Sequence, residues 1–227
     1  MIGSGAAAKG ISAAKKIGLD GRQATDSLRK IESSYNEIMS QMVDFMQSGV
    51  IGALSDVWYG NDAVKFMREK FQPAIDSVVD STERVFTSVN ETVNQAATNY
   101  DNQHQTNVFQ KVSHVVKNGK VKTDGFKSDN NGFVGITNSS SFEAARKALT
   151  QISANVDEKL KEAKEAAANS GFHGGEQQQR LVESMEKIKK SLAGLTNELN
   201  EAAKEALTKA VEREEELAKA NADSFTA

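Results

Sequence analysis

Apolar residues recur every three or four positions along several stretches of this chain, a spacing that places them on one face of a helix. The first stretch predicts a helix from about Arg22 to Val57, and the second predicts one from Val64 to Ala96. About 40 residues of α-helix make a rod of roughly 60 Å. Pro73 lies inside the second helix, so we expect a kink or a local irregularity there. The apolar positions of the first helix are 28, 31, 35, 38, 42, 45 and 46.

The pattern repeats along the chain. Sliding the sequence against itself by 114 residues brings the apolar positions of the two halves into register without a gap, and it places Trp58 on Phe172 and Gly60 on Gly174. Both of these aromatic-x-glycine groups fall between two predicted helices. The duplication therefore predicts two helical hairpins. The last helix alternates apolar residues by four and three, like a coiled-coil seam, and such seams pack at shallow angles in helix bundles.

A segment of different composition joins the two halves. Residues 101–140 are rich in Asn, Gly, Ser and Lys, and Asn118-Gly119 lies between valines. Asn-Gly favours the tight turn of a two-residue β-hairpin, because both central residues of that turn need positive φ. The chain is thus divided into a short helix or tail over 1–21, a hairpin over 22–100, a linker with a β-hairpin over 101–140, and a second, degenerate hairpin over 141–227.

The composition further restricts the kind of protein that this chain can be. A single proline in 227 residues favours long helices, and the absence of cysteine excludes disulfide frameworks, cysteine-based zinc sites and cysteine nucleophiles. The formal net charge of −3 argues against nucleic-acid binding through bulk electrostatics. No apolar run approaches the roughly 20 residues of a membrane-spanning helix, so we expect no stable membrane insertion. The basic N-terminus lacks the apolar stretch of a secretory signal peptide.

Residues suited to catalysis are scarce. His104, His114 and His173 are the only histidines, and none has a second histidine or a carboxylate at a metal-site spacing. We interpret them as structural or exposed, with His173 a candidate for a pH-sensitive contact. No phosphate-binding loop and no G-x-S-x-G nucleophile motif is present. The sequence therefore predicts a protein that is not an enzyme and that uses no cofactor or metal.

The turn of the first hairpin carries a family resemblance. The string ALSDVWYGNDAVKFMREKF, placed between two long amphipathic helices, resembles the Trp-x-Gly (WXG) family of small, early-secreted-antigen-like proteins of bacterial type VII secretion. Ala63 and Phe66 match the alanine and the aromatic residue that follow the glycine in that family. The resemblance covers about residues 22–100 and extends through the duplication to about 142–221. The second half has Phe172-His173-Gly174 in place of the motif.

The resemblance implies a fold and a set of recognition residues. Family members pair as two hairpins in a four-helix bundle with the turns at opposite ends, so we expect a mainly α protein: two long hairpins in an antiparallel four-helix bundle, with a small β-hairpin insertion between them. A linker of about 40 residues can span the roughly 50–60 Å between the hairpins. The expected recognition residues are Trp58, Tyr59, Gly60, Phe172, His173 and Gly174. Independently of the resemblance, we expect Trp58 to fix the conformation of the turn. Gly60 permits a backbone angle that is unfavourable for a residue with a Cβ.

The resemblance also implies a function. We expect a non-enzymatic type VII secretion substrate or partner of a Gram-positive bacterium, cytoplasmic before export and then secreted or on the cell surface by a non-Sec route. Its partners would be proteins: the secretion ATPase, which in the family reads the turn beside a partner's C-terminal tail, or a WXG- or LXG-type protein. The family signal Tyr-x-x-x-Asp/Glu has no intact copy, since Tyr35, Tyr59 and Tyr100 are followed four residues later by Met, Ala and His.

Two other interpretations stay open. The chain is alternatively an intracellular adaptor or targeting chaperone for a larger secreted toxin, or a structural coiled-coil protein whose Trp-Tyr-Gly is coincidental. The sequence allows a monomer with internally paired hairpins as well as a homodimer, because a long linker lets hairpins pair within or between chains.

Overall fold

A computed structural model describes residues 18–117, 119–174 and 176–224. The protein is mainly helical, and its helices join into four long ones, as predicted. The predicted tail or short helix over 1–21 lies mostly outside the described residues. The first long helix consists of α1 (Gly21–Ser40), the π-helical π1 (Gln41–Ile51) and α2 (Gly52–Ser55). The second consists of α3 (Asn61–Lys65), π2 (Phe66–Phe71) and α4 (Gln72–Gln103), and the last two are α5 (Ser140–Ala168) and α6 (Glu176–Ser224).

The four long helices form an antiparallel bundle. Helix α5 packs along the first long helix in the opposite direction. Two hydrogen bonds show this: Asn155 Nδ2 donates to Gln41 Oε1 at 3.1 Å, and Ser27 Oγ donates to the carbonyl of Ala166. The turns of the two hairpins therefore lie at opposite ends of the bundle. The core between the helices contains fully buried aliphatic and aromatic side chains from both halves, among them Leu28, Ile31, Tyr35, Phe86, Phe142, Leu149, Leu160 and Met185.

Two short antiparallel ladders connect the hairpins. Strand β1 (Gly18–Leu19) pairs with β4 (Phe172–His173), and β2 (Trp58–Tyr59) pairs with β3 (Gly135–Ile136). Each ladder gains one further backbone hydrogen bond, from Asp20 N to Gly171 O at 2.8 Å and from Thr137 N to Val57 O at 2.9 Å. The turn of each hairpin is thus joined to the segment that precedes the first helix of the other hairpin.

The small β component that the sequence predicts is present, but its ladders lie elsewhere than at Asn118-Gly119. Among the described residues, 106–117 and 119–123 form no strand, and Asn118 itself lies outside them. A local two-stranded hairpin would be marginal in water, and the backbone of this segment bonds to helix side chains instead. We call residues 106–117 the strap; the linker returns along the first hairpin from the end of α4 to the turn at Trp58.

Wide helical turns accompany an unusual spacing of buried residues. Four-residue steps in an α-helix drift by about 40° each around the axis, whereas π-turns, with i→i+5 hydrogen bonds, correct this drift. π2 ends at Phe71, two residues before Pro73, and it is the local irregularity that the proline leads us to expect.

Phe45 departs from the predicted apolar face, because its side chain is 53% exposed. The buried residues at four-residue steps are Ile38, Met42, Met46, Val50 and Leu54 in the first long helix and Ala63, Met67, Phe71, Ile75 and Val79 in the second.

We expect Gly171→Ala to destabilise the protein by about 2 kcal/mol or more, because Gly171 has a φ of +78° and a Cβ there would lie 2.5 Å from the carbonyl oxygen of Asp20. Gly194→Ala is the matched control, since a Cβ at this position in α6 meets nothing within 4 Å. The control should raise the free energy of unfolding by about 0.5–1 kcal/mol. Urea denaturation followed by circular dichroism measures both. Equal effects of the two variants would contradict the described β1–β4 junction.

Candidate functional site at the Trp58-Tyr59-Gly60 turn

Trp58 is enclosed by aromatic side chains from three parts of the chain. Its ring is only 5% exposed, and its centroid lies 6.0 Å from that of Phe66, 6.4 Å from Phe126 and 5.3 Å from Phe142. Phe66 follows the turn in its own hairpin, Phe126 belongs to the linker and Phe142 begins α5. The Phe126 and Phe142 contacts are edge-on and the Phe66 contact is tilted. Aromatic contacts of this kind add to the hydrophobic gain from burying the ring. Trp58 therefore closes this end of the bundle and offers little of its own surface to a partner.

Tyr59 and Gly60 complete the turn against the linker. The Tyr59 hydroxyl donates to the carbonyl of Asp56 at 2.7 Å, and the Tyr59 ring meets Phe133 edge-on at 6.3 Å. Gly60 has a φ of +146°, which disfavours any side chain, and its N–H donates to the carbonyl of Lys127 at 3.1 Å. A glycine is thus needed where the chain leaves the strand and enters α3.

A groove of about 540 Å³ separates this turn from the end of α6. One wall comes from residues 58–63 of the first hairpin, and the other comes from Arg213, Leu217 and neighbouring residues of the second. Arg213 forms an ion pair with Asp62 across it. Both of these side chains are more than 60% exposed, so the pair contributes little to stability. Val134 and Leu217 expose 62% and 48% of their surface here, leaving an apolar patch beside the turn.

The second turn lies at the other end of the bundle. Phe172 is buried and pairs with Leu19, and Gly174 has a φ of +74°. Nε2 of the half-buried His173 has no hydrogen-bond partner among the described residues. Phe172 also borders a mostly apolar groove of about 280 Å³ between α4 and α6. The six predicted recognition residues therefore form two separate sites, one at each end of the molecule, and not one combined site.

The predictions from the sequence do not include β1 and β3, the strands that pair with the two turns. A signal for them exists: Gly18-Leu19-Asp20 and Gly135-Ile136-Thr137 share a glycine-aliphatic-polar pattern, and each precedes the first helix of a hairpin. The comparison at an offset of 114 residues hides the pattern, because these two triplets are 117 residues apart. Detecting it requires a gap in the alignment of the two halves.

His114, for which the sequence predicts no particular role, contacts two carboxylates from the helices of the first hairpin. Within 18–117, 119–174 and 176–224, no group of three or more His, Asp or Glu side chains is arranged to hold a metal ion. Over the same residues, no helix combines the length and apolar character needed to cross a bilayer.

Trp58→Ala should lower the free energy of unfolding by about 3–5 kcal/mol, because it leaves a cavity among three aromatic rings, and Trp58→Phe should cost less than half as much. Phe133→Ala serves as a control that removes a 44% exposed ring at the same turn, and it should cost about 1 kcal/mol or less. Urea denaturation followed by circular dichroism reports all three. Similar losses for Trp58→Ala and Phe133→Ala would show that the tryptophan does not close the bundle.

Comparisons with known proteins add no family assignment. No protein-family model matches the chain. No significant match was found among curated proteins or among solved structures.

Proposed function

We propose that the chain is a non-enzymatic, tandem WXG-type protein of type VII secretion, acting as a substrate or partner through contacts on its helix bundle. The observation that carries the proposal is the position of the Trp58-Tyr59-Gly60 turn beside the C-terminal end of α6. In the family that the sequence resembles, the turn lies beside the partner's C-terminal tail, and the secretion ATPase reads the two together. Here the second hairpin takes the partner's place within one chain.

The recognition surface of this proposal is the groove rim. Trp58 and Tyr59 are at most 7% exposed, so a partner meets the exposed side chains around them. These are the apolar Val134 and Leu217 and the Arg213–Asp62 pair, contributed by both hairpins and the linker. A composite rim of this kind exists only when the bundle is assembled, which would let a secretion ATPase or a WXG- or LXG-type protein select the folded chain.

An adaptor that stays in the cytoplasm is the second candidate. The observation that favours it is the absence of an intact Tyr-x-x-x-Asp/Glu sequence. Two of the three tyrosines are also unsuited to a displayed signal, because Tyr35 is fully buried and Tyr59 is 7% exposed. Under this proposal the chain docks on a larger secreted toxin and remains behind, so the place where the protein accumulates distinguishes the two candidates.

The test measures the fraction of the full chain in the culture supernatant of the bacterium that encodes it, with and without the secretion ATPase. The secretion proposal expects ATPase-dependent export. It further expects the double variant Val134→Ser, Leu217→Ser to reduce export at least tenfold, because the apolar rim is lost, while exposed sites of this kind change stability by only about 1 kcal/mol or less.

Val115→Ser is the matched control, since Val115 is 66% exposed on the strap and away from the groove. It should be exported like the unmodified chain. Retention in the cytoplasm together with co-purification of one larger exported protein would favour the adaptor. Accumulation in the cytoplasm without such a partner would overturn both candidates.

A further inference from the structure

The strap is held by side chains that bond to its backbone. Within this stretch, Gln110 N donates to Thr25 Oγ1 at 2.9 Å, Val112 N to Asn94 Oδ1 at 3.1 Å and Lys117 N to Tyr35 Oη at 2.9 Å. The carbonyl of Val112 accepts from the amides of both Asn90 and Asn94, at 3.1 and 2.9 Å. An irregular segment outside a sheet needs such partners for its buried polar groups. Side chains of α1 and α4 therefore supply the hydrogen-bond partners that the backbone of a neighbouring strand would supply in a sheet.

His114 lies at the middle of this contact, between two carboxylates. Its Nδ1 is 2.9 Å from Glu32 Oε2 and its Nε2 is 2.9 Å from Glu83 Oε1, and the side chain is only 7% exposed. Both ring nitrogens can donate only in the protonated imidazolium. A neutral ring would direct one lone pair at an ionised carboxylate, so two ionised carboxylates at these distances favour the charged form of the ring.

The groups around His114 reinforce that preference for the charged ring. From α1 it faces Glu32 and the ring of Tyr35, whose centroid is 4.6 Å away, and from α4 it faces Glu83. Glu32 also accepts from Asn90 Nδ2 at 2.6 Å, and Glu83 accepts from Tyr35 and from Thr87. One imidazolium thus lies between two carboxylates that polar neighbours hold in place. If the ring loses its proton, two like charges remain at a site that is largely closed to water.

We propose that His114 is a protonation-controlled clasp that fastens the strap in the groove between α1 and α4, so that loss of its proton releases the strap and uncovers this groove. Release exposes Tyr35, which is otherwise fully buried, and frees the side chains that bond to the strap's backbone. This device is independent of the proposed secretion role.

The direction of the pH effect follows from the two kinds of titrating group. Burial lowers the pKa of His114, but its hydrogen bonds to Glu83 and Glu32 outweigh burial and raise that pKa above its usual 6.5. The stability that His114 gives the clasp is therefore complete below about pH 6.5 and is lost as the pH rises through the raised pKa. Burial raises the pKa of Glu83, but its bonds to Tyr35 and His114 outweigh burial and lower that pKa below its usual 4.5. The stability that Glu83 gives the clasp is lost as the pH falls through this lowered pKa.

The clasp should accordingly be tightest between about pH 4.5 and 6.5. Amide hydrogen exchange on the full chain, corrected for the intrinsic pH dependence of exchange, tests this at Gln110, Val112 and Lys117. We expect protection of these amides to fall as the pH rises from 6 to 9, by up to about tenfold for each unit by which the histidine pKa is raised. Amides of α5 should keep their protection over the same range.

Two variants identify the titrating group. His114→Gln should weaken protection of the strap at pH 6 and abolish its pH dependence, whereas His104→Gln, a change at an exposed position outside the clasp, should preserve both. Glu32→Gln keeps the shape of the site but removes one carboxylate, so the loss of protection should move to lower pH, and so should the His114 titration followed by NMR. Strap protection that does not change with pH, or a midpoint that Glu32→Gln leaves unchanged, would overturn the proposal.

Discussion

The antiparallel packing of α5 on the first long helix is the contact on which the rest of the structure depends. It places the two hairpin turns at opposite ends of the bundle, and it sets the end of α6 beside the Trp58-Tyr59-Gly60 turn. It also obliges the chain to travel back along the first hairpin before α5 can begin. The strap, the Trp58 enclosure and the groove beside α6 all follow from that one arrangement of helices.

The ladders explain how two hairpins become one molecule. Each turn pairs with the segment before the opposite hairpin's first helix, so contacts between the two hairpins fasten both ends of the bundle. Gly171 packs so close to Asp20 that a Cβ has no room there, and Gly60 takes a φ of +146° at the other end. Glycines with positive φ are therefore present at both junctions between the hairpins.

The strap shows how an irregular segment is accommodated on a helical bundle. It pairs with no strand among the described residues, and its backbone forms hydrogen bonds with the side chains of Thr25, Asn90, Asn94 and Tyr35 instead. These residues are polar positions on otherwise amphipathic helices. Their presence on α1 and α4 makes the groove of the first hairpin suited to an irregular backbone, and His114 makes the occupancy of that groove by the strap depend on protonation.

The sequence by itself determined the helices, their pairing into hairpins and the break at each turn, because helical periodicity and the aromatic-x-glycine groups are local signals. It also located the irregularity near Pro73, since a proline cannot donate to the preceding turn. The short ladders, the groove beside α6 and the role of His114 came only from the tertiary structure. Glu32 and Glu83 lie 82 and 31 residues from His114 along the chain. No spacing rule connects residues so distant, and only the packing of the strap between α1 and α4 decides which charges meet.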